Sequence, residues 1–330
     1  MKVLYIGGTG NISRESSIRA IKEGVDLFLL NRGTTGVEIH GAVNIQGNIH
    51  NRDQMKSVLK DHNWDVVVNW IAFTPEDIKN DLELFKGRTK QYIFISSASA
   101  YEKPPHQPII TEETPLHNPF WKYSRDKIAC ENALMHAYSN LEFPVTIVRP
   151  SHTYDIVIPV TIGGWTEYTV VDRMKKGQKV IIQGDGTSLW TVTHSKDFAL
   201  AFNGLLGNCD AIGQAFHITS DEWLTWNQIY QFVADAAGAE LNAVHIATDF
   251  IDKISPGEKD GLWGDKAHCG IFDNSKIKNI VPDYTATIPF QEGIKDTLAW
   301  FDAKPERKVV NPQTNAMMDK ILAAYGELGN

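Results

Sequence analysis

Lys2-Val3-Leu4-Tyr5-Ile6 runs without a break into Gly7-Gly8-Thr9-Gly10-Asn11-Ile12-Ser13-Arg14, and this junction constrains the fold more than any other stretch. A continuous β-branched and aliphatic run reads as a strand buried on both faces, the usual case in a parallel sheet. The glycines end it, and residues 16–23 then carry apolar positions at helical spacing. Strand, glycine-rich turn and helix form the opening unit of a dinucleotide-binding fold. Glycine is needed where the backbone comes close to a pyrophosphate. The helix behind the turn offers free N–H groups and a partial positive charge to that pyrophosphate. The spacing is Gly7-x-x-Gly10-x-x-Ser13 rather than G-x-G-x-x-G, with serine where helix and strand pack closely. Gly7, Gly10, Asn11 and Ile12 are therefore expected to meet the cofactor.

Further apolar runs at 25–30, 42–46, 65–71, 92–95 and 145–148 alternate with helical stretches at 52–61, 75–86 and 121–138. Six strands alternating with helices predict an α/β fold with a doubly wound parallel sheet (Rossmann). After Pro150 the rhythm breaks into shorter pieces, with a strand at 179–183, the turn Gly184-Asp185-Gly186 and a strand at 215–218. The expected division is a nucleotide-binding domain of residues 1–153 and 187–220. A smaller mixed α/β substrate-binding domain takes 154–186 and 221–330 and closes over the end of the sheet.

A formal net charge of −8 over 330 residues, with the basic residues scattered, argues against a nucleic-acid partner. The three cysteines include no CxxC, and the eleven histidines show no HxH or HExxH, so no metal site is expected. The chain opens directly into a strand and has no long apolar run, which points to a cytoplasmic protein without a signal peptide or membrane span.

Tyr123-Ser124-Arg125-Asp126-Lys127 is the second chemical feature. On a helix, Tyr123 and Lys127 are one turn apart and share a face. A phenol, with an unperturbed pKa of ~10, is a poor base at neutral pH. A neighbouring ammonium and a cationic nicotinamide would favour the phenolate and bring it into working range. The helix follows a strand that ends in Ser96-Ser97-Ala98-Ser99-Ala100-Tyr101.

In order along the chain, GGTG, that serine cluster, YSRDK, Val148-Arg149-Pro150 and Gly184-Asp185-Gly186 resemble the extended short-chain dehydrogenase/reductases. These form the family of NAD-dependent epimerases and dehydratases, and the resemblance covers nearly the whole chain. It implies that Ser97 donates a hydrogen bond to the substrate oxygen, with Ser96 and Ser99 as near alternatives. It implies further that Tyr123 is the acid/base, and that Lys127 modulates it and holds the nicotinamide ribose. Asn48 and Ile49 would lie near the adenine, and Ile71, Ala72 and Phe73 would line the cofactor.

Departures from the family pattern carry information too. Strand two ends in Asn31-Arg32 where an acidic residue usually holds both ribose hydroxyls. No carboxylate repels a 2′-phosphate there, and a guanidinium stands ready to bind one in a fork, so NADP is favoured over NAD. Arg14 is a lesser candidate for the same role. Trp190 stands where sugar-nucleotide epimerases usually carry a diphosphate-binding arginine, leaving a diphosphate to rely on others such as Lys266 or Lys276. Ser99, His152 and Trp190 are the candidate substrate contacts, with His152 open as a wall residue or a second acid. A closer likeness is to an atypical extended branch that includes bacterial epimerase-like chains and a chloroplast stem-loop RNA-binding relative.

The expected activity is an NAD(P)-dependent epimerase, dehydratase or oxidoreductase acting on a sugar-like or polyhydroxylated small molecule. The alternatives are an NADP(H)-dependent reductase of a small carbonyl compound and a non-catalytic RNA-binding relative. A homodimer through the tyrosine-bearing helix is also open, since Ala129, Ala133 and Ala137 would permit close approach.

Overall fold

The computed structural model describes residues 1–34 and 36–327. Seven strands form one sheet: β1 (Lys2–Ile6), β2 (Asp26–Asn31), β3 (Val43–Gln46), β4 (Trp64–Asn69), β5 (Thr89–Ile95), β6 (Val145–Pro150) and β7 (Ala215–Ile218). Their order is β7-β6-β5-β4-β1-β2-β3, and every pairing is parallel. The strand order reverses between β1 and β4, which opens a crevice at the strands' carboxyl ends.

Alternation along β1 shows how the sheet is buried on both sides. Val3 and Tyr5 face a core shared with Ala20 of α1 (Ser13–Lys22). Phe198 and Phe202, from the helix Ser195–Asn203, complete that layer. Leu4 and Ile6 face the opposite core, built with Met55 of α2 (Arg52–Leu59), Ile78 of α3 (Pro75–Phe85) and Leu134 of α4 (Lys122–Leu141). Local chemistry sets the helix starts: Thr74 and Asp77 form a capping box at α3, with Pro75 in the first turn. α1 begins at Ser13, three residues before its apolar periodicity, because the Ser13 hydroxyl accepts the Gly10 N–H at 2.9 Å and closes the turn.

The sequence pattern assigned six strands to the sheet. The seventh, Ala215–Ile218, returns from the second half of the chain and lies along β6, with Phe216 and Ile218 fully buried. The rest of that half builds a separate core around Ile158, Val171, Ile181, Trp226, Phe290 and Ile321. Ile277 and Tyr284, late in the chain, pack into the core beneath the sheet instead. Residues 328–330, the end of the expected substrate-binding part, lie outside the described residues. Among the described residues no helix is long and apolar enough to cross a membrane.

Several bonds fasten the glycine turn to the second half. Asn11 Nδ2 donates to the Thr153 carbonyl at 2.8 Å, and its Oδ1 accepts the Ile156 N–H at 3.1 Å. The Ser195 hydroxyl donates to the Asn11 carbonyl at 2.8 Å, and Arg14 pairs with Asp155 at 3.4 Å.

Beneath the cleft, buried Asp81 of α3 receives hydrogen bonds on one oxygen from Tyr92 Oη and Asn69 Nδ2, each at 2.5 Å. Burial pushes its pKa up to about 7 in spite of these donors. An unfolded aspartate titrates near ~3.9, so between these values the folded state binds the proton more tightly. The contribution of Asp81 to stability is therefore greatest below about pH 4, declines by something on the order of 4 kcal/mol as pH rises to about 7, and then levels off. Urea unfolding at pH 5 and pH 8 checks this: Asp81→Asn is expected to raise stability at pH 8 and flatten the profile. An unchanged slope in the variant would clear Asp81 of responsibility.

Candidate active site

The carboxyl ends of β1, β2, β4, β5 and β6 open into a cleft of about 770 Å³. From the nucleotide side it is lined by Gly7, Gly10, Asn11, Ile12, Asn31, Arg32, Asn48, Ile49 and Ile71. Ser97, Ser99, Tyr123 and Lys127 meet them from β5 and α4, and His152, Trp165, Asp265 and Lys266 form the wall contributed by the second half. Of the residues singled out in the sequence as ligand contacts, Arg14, Ala72, Trp190 and Lys276 do not line the cleft.

The glycine turn has the properties a dinucleotide pyrophosphate requires. Gly7 and Gly8 hold φ of +94° and +105°, and a Cβ on Gly8 would lie 2.7 Å from Leu29, so the chain itself demands glycine there. At Gly10 a Cβ would meet only Ser13 Oγ, at 3.6 Å, so packing within the chain does not explain that glycine, whereas close approach of a ligand does. Ile12, the residue before α1, provides no side-chain cap, unlike those before α2 and α3, and this end of the helix lines the cleft, where its dipole favours an anion. The residues present fit the cofactor.

Around the base end of the turn the picture is mixed. The Asn31 amide is oriented to donate to the Leu30 and Gly7 carbonyls at 3.2 and 3.1 Å, bracing the turn. Arg32 is exposed at the rim, and among the described residues its guanidinium has no ion pair. Arg14 is engaged by Glu15 and Asp155. Asn48 Oδ1 accepts the His50 N–H at 3.2 Å, so its amino group is what remains to face a base. Asn11, bound to Thr153 and Ile156, offers a ligand its backbone rather than its side chain.

At the other end, three hydroxyls are sorted by their neighbours. Ser96 is buried and donates to Glu131 at 2.5 Å. Ser99 is buried between Ser97 Oγ at 2.9 Å and Ser124 Oγ at 2.8 Å. Ser97 is the more open of the three. Tyr123 is half-buried, its ring 4.9 Å from Trp121 and 6.3 Å from Phe73. Burial pushes its hydroxyl up to about 12, and the neighbouring Ser97 hydroxyl pulls the other way. Lys127 Nζ donates to the carbonyls of Ala72 at 2.7 Å and Ile95 at 2.8 Å, which leaves one N–H to spare. Burial lowers its pKa to about 8.

The second-half wall is aromatic. His152 Nε2 bonds the Pro159 carbonyl at 3.1 Å, and its ring packs 5.0 Å from Trp165 and 5.6 Å from Trp226. Burial, with help from Lys266, drops its pKa to about 3, so at neutral pH it has no acidic proton to give. Trp190 is 1% exposed, stacked near Trp226 with its Nε1 donating to the His268 carbonyl at 2.6 Å. It is a core residue that backs Lys266, whose Nζ lies 4.3 Å above the indole. Lys276 instead covers Phe216. Among the described residues no group of three or more His, Cys, Asp or Glu is placed to hold a metal ion.

Sequence reasoning passed over Gly8, Trp121, Lys103 and Asp265, whereas Phe73, expected beside the cofactor, does line the cleft. Gly8 and Trp121 stand beside recognised motifs and were findable. Lys103 and Asp265 meet only in the folded chain, and no local pattern marks them.

The family described as NAD dependent epimerase/dehydratase matches residues 3–219. The chloroplast stem-loop binding protein of 41 kDa b from Arabidopsis thaliana is 26% identical over 259 residues, covering 74% of this chain and 65% of that protein. UDP-glucose 4-epimerase of Lactobacillus helveticus is 31% identical over 157 residues, 42% of this chain and 47% of that one. The chain thus spans 65% and 47% of the lengths of these curated relatives. Among solved structures, an epimerase from Methanothermobacter thermautotrophicus superposes with a TM-score of 0.76 at 18% identity, covering 92% of this chain and 93% of the other, a likeness of fold.

Proposed function

Since the chain belongs to the NAD dependent epimerase/dehydratase family of enzymes, we propose that it binds NADP(H) in the cleft and processes a sugar-like or polyhydroxylated substrate with Ser97, Tyr123 and Lys127. The observation that carries this reading is the convergence of all three side chains on the cleft that the glycine turn also lines. The nicotinamide, when bound, supplies the hydride chemistry. Tyr123 Oη takes the proton from the substrate hydroxyl or returns it, and the Ser97 hydroxyl donates to the same oxygen. Lys127, through its remaining N–H, holds ribose hydroxyls, and its charge favours the phenolate. The division into a nucleotide-binding part (1–153 and 187–220) and a substrate-binding part (154–186 and 221–330) belongs to the same proposal. It is supported by the return of Ala215–Ile218 to the sheet and by the separate core of the second half.

Denaturing the purified protein and identifying the released nicotinamide tests the reading. Near-stoichiometric cofactor supports an epimerase or dehydratase that regenerates it in each cycle. An empty protein that takes up NADP(H) reversibly points instead to a reductase of a small carbonyl compound. One that takes up neither cofactor, but retains RNA with a steep salt dependence, would replace the enzyme reading with the activity named in the A. thaliana relative.

The choice of NADP rests on Arg32 and the absence of a carboxylate at the end of β2. Arg32→Ala is expected to weaken NADP binding by roughly 10- to 100-fold, the value of a charge-assisted bond to a phosphate, and to leave NAD affinity nearly unchanged. Equal losses for both cofactors in equilibrium titrations would remove Arg32 from the recognition of the 2′-phosphate.

A further inference from the structure

Asp265 is the only carboxylate lining the cleft among the described residues, and it faces two ammonium groups. Lys103 Nζ lies 3.3 Å from its Oδ1 and Lys266 Nζ 2.5 Å from its Oδ2. Asp265 is 6% exposed and Lys103 2%, so water screens this cluster poorly. One carboxylate offsets one ammonium, and with burial lowering the pKa of Lys103 at most one unit of positive charge remains in the wall. It is presented by Lys266, because Lys103 does not reach the cleft.

The residues that carry Lys266 are held in place. Leu262–Lys266 form a π-helical turn, a rare geometry that recurs at functional sites. Asn118 Nδ2 donates to the Gly264 carbonyl at 2.7 Å, and Trp226 Nε1 donates to the Lys266 carbonyl at 3.0 Å. A Cβ on Gly264 would lie 2.6 Å from Trp121 Cβ, so the turn is pressed against the residue that packs on Tyr123. Trp190 supports the ammonium from behind.

We propose that Lys266 binds an anionic oxygen group of the substrate, and that this substrate is a small hydroxylated carboxylate or phosphomonoester rather than a nucleoside diphosphate sugar. The inference rests on the reading of Ser97, Tyr123 and Lys127 as the reacting end of the cleft. Two further observations separate the two substrate classes. A diphosphate outnumbers the single surplus charge, and among the described residues the one arginine lining the cleft, Arg32, stands at the end of β2. A pocket for a single drug-sized ligand is roughly 300–1,000 Å³. This cleft, at about 770 Å³, lies within that range and would hold a dinucleotide as well, which favours a small substrate over a second nucleotide.

Calorimetric titrations with glucose, glucuronate, glucose 6-phosphate and UDP-glucose, with NADP present and absent, test this on the wild type, Lys266→Met and Lys266→Arg. Glucuronate or glucose 6-phosphate is expected to bind about 10- to 100-fold more tightly than glucose. Lys266→Met should abolish that preference, and Lys266→Arg should retain most of it. Whichever anion leads distinguishes a carboxylate from a phosphate. The methionine variant leaves Asp265 paired with Lys103, so no buried charge is orphaned, and the arginine variant controls for folding. Equal binding of glucose and both small anions, no binding of either anion, tightest binding of UDP-glucose, or a preference that survives Lys266→Met overturns the proposal. Failure to bind NADP is a separate result that counts against the nicotinamide reading, since the anion preference is also measured without it.

Discussion

Tyr123→Phe is expected to lower turnover by about 10²–10⁴-fold while cofactor affinity stays within about twofold, the range for loss of a positioned acid/base. The hydroxyl is all that the substitution removes, and the ring keeps its packing on Trp121 and Phe73. Burial holds Tyr123 near 12 in the ligand-free cleft, so the phenolate depends on the charges around it. Lys127 is the nearby cation, and burial sets its own pKa at about 8. Below about 8 its ammonium supports the phenolate; above, the support fades as the proton leaves. Base-dependent activity should therefore climb towards pH 8 and stop climbing beyond it. Lys127→Met should lose both the support and that break in the profile. Single-turnover reduction of the nicotinamide at several pH values measures all three enzymes. Undiminished turnover in Tyr123→Phe would take the phenol out of the mechanism.

The second large effect lies one layer behind the serines. Glu131 of α4 and Arg149 of β6 form a two-pronged pair, Nη2 to Oε2 at 2.7 Å and Nε to Oε1 at 3.0 Å, with side chains 3% and 6% exposed. Tyr101 Oη accepts from the same guanidinium at 3.1 Å, and Ser96 donates to the same carboxylate. Glu131→Leu strands a buried guanidinium and should cost about 3–5 kcal/mol. A Glu131→Leu/Arg149→Met double variant, with neither charge, should recover most of that loss, since a buried pair is worth little against well-packed apolar groups. Denaturant midpoints for the single and the double variant decide the matter. A Glu131→Leu protein as stable as wild type would refute the account. The single variant also releases Ser96, so the strand end that presents Ser97 should loosen with it.

What could be read in the sequence was local. The strands β1, β4, β5 and β6 showed themselves by continuous apolar runs that the fold buries, and Tyr123 and Lys127 by the one-turn spacing of a helix. β7 was harder, because a strand of four residues declares its partner only when the chain returns to β6. Trp190 was placed by analogy of position, yet indole burial and a bond to the His268 carbonyl carry it into the core. The charge cluster at Lys103, Asp265 and Lys266 was invisible because Lys103 lies far along the chain from the adjacent Asp265 and Lys266, and only the fold joins them. Gly7 and Gly10 were singled out for cofactor approach, and the structure separates two reasons for glycine: backbone strain at Gly7 and Gly8, and open space at Gly10.

The bonds of Asn11 to Thr153 and Ile156 bear on the rhythm of the catalytic cycle. The loop that cradles a pyrophosphate is bolted to the residues next to His152, so it cannot spread to release one molecule without disturbing the berth of the other. Filling one end of the cleft is therefore expected to stiffen the other, a coupling that runs through the backbone beside Asn11 and Thr153.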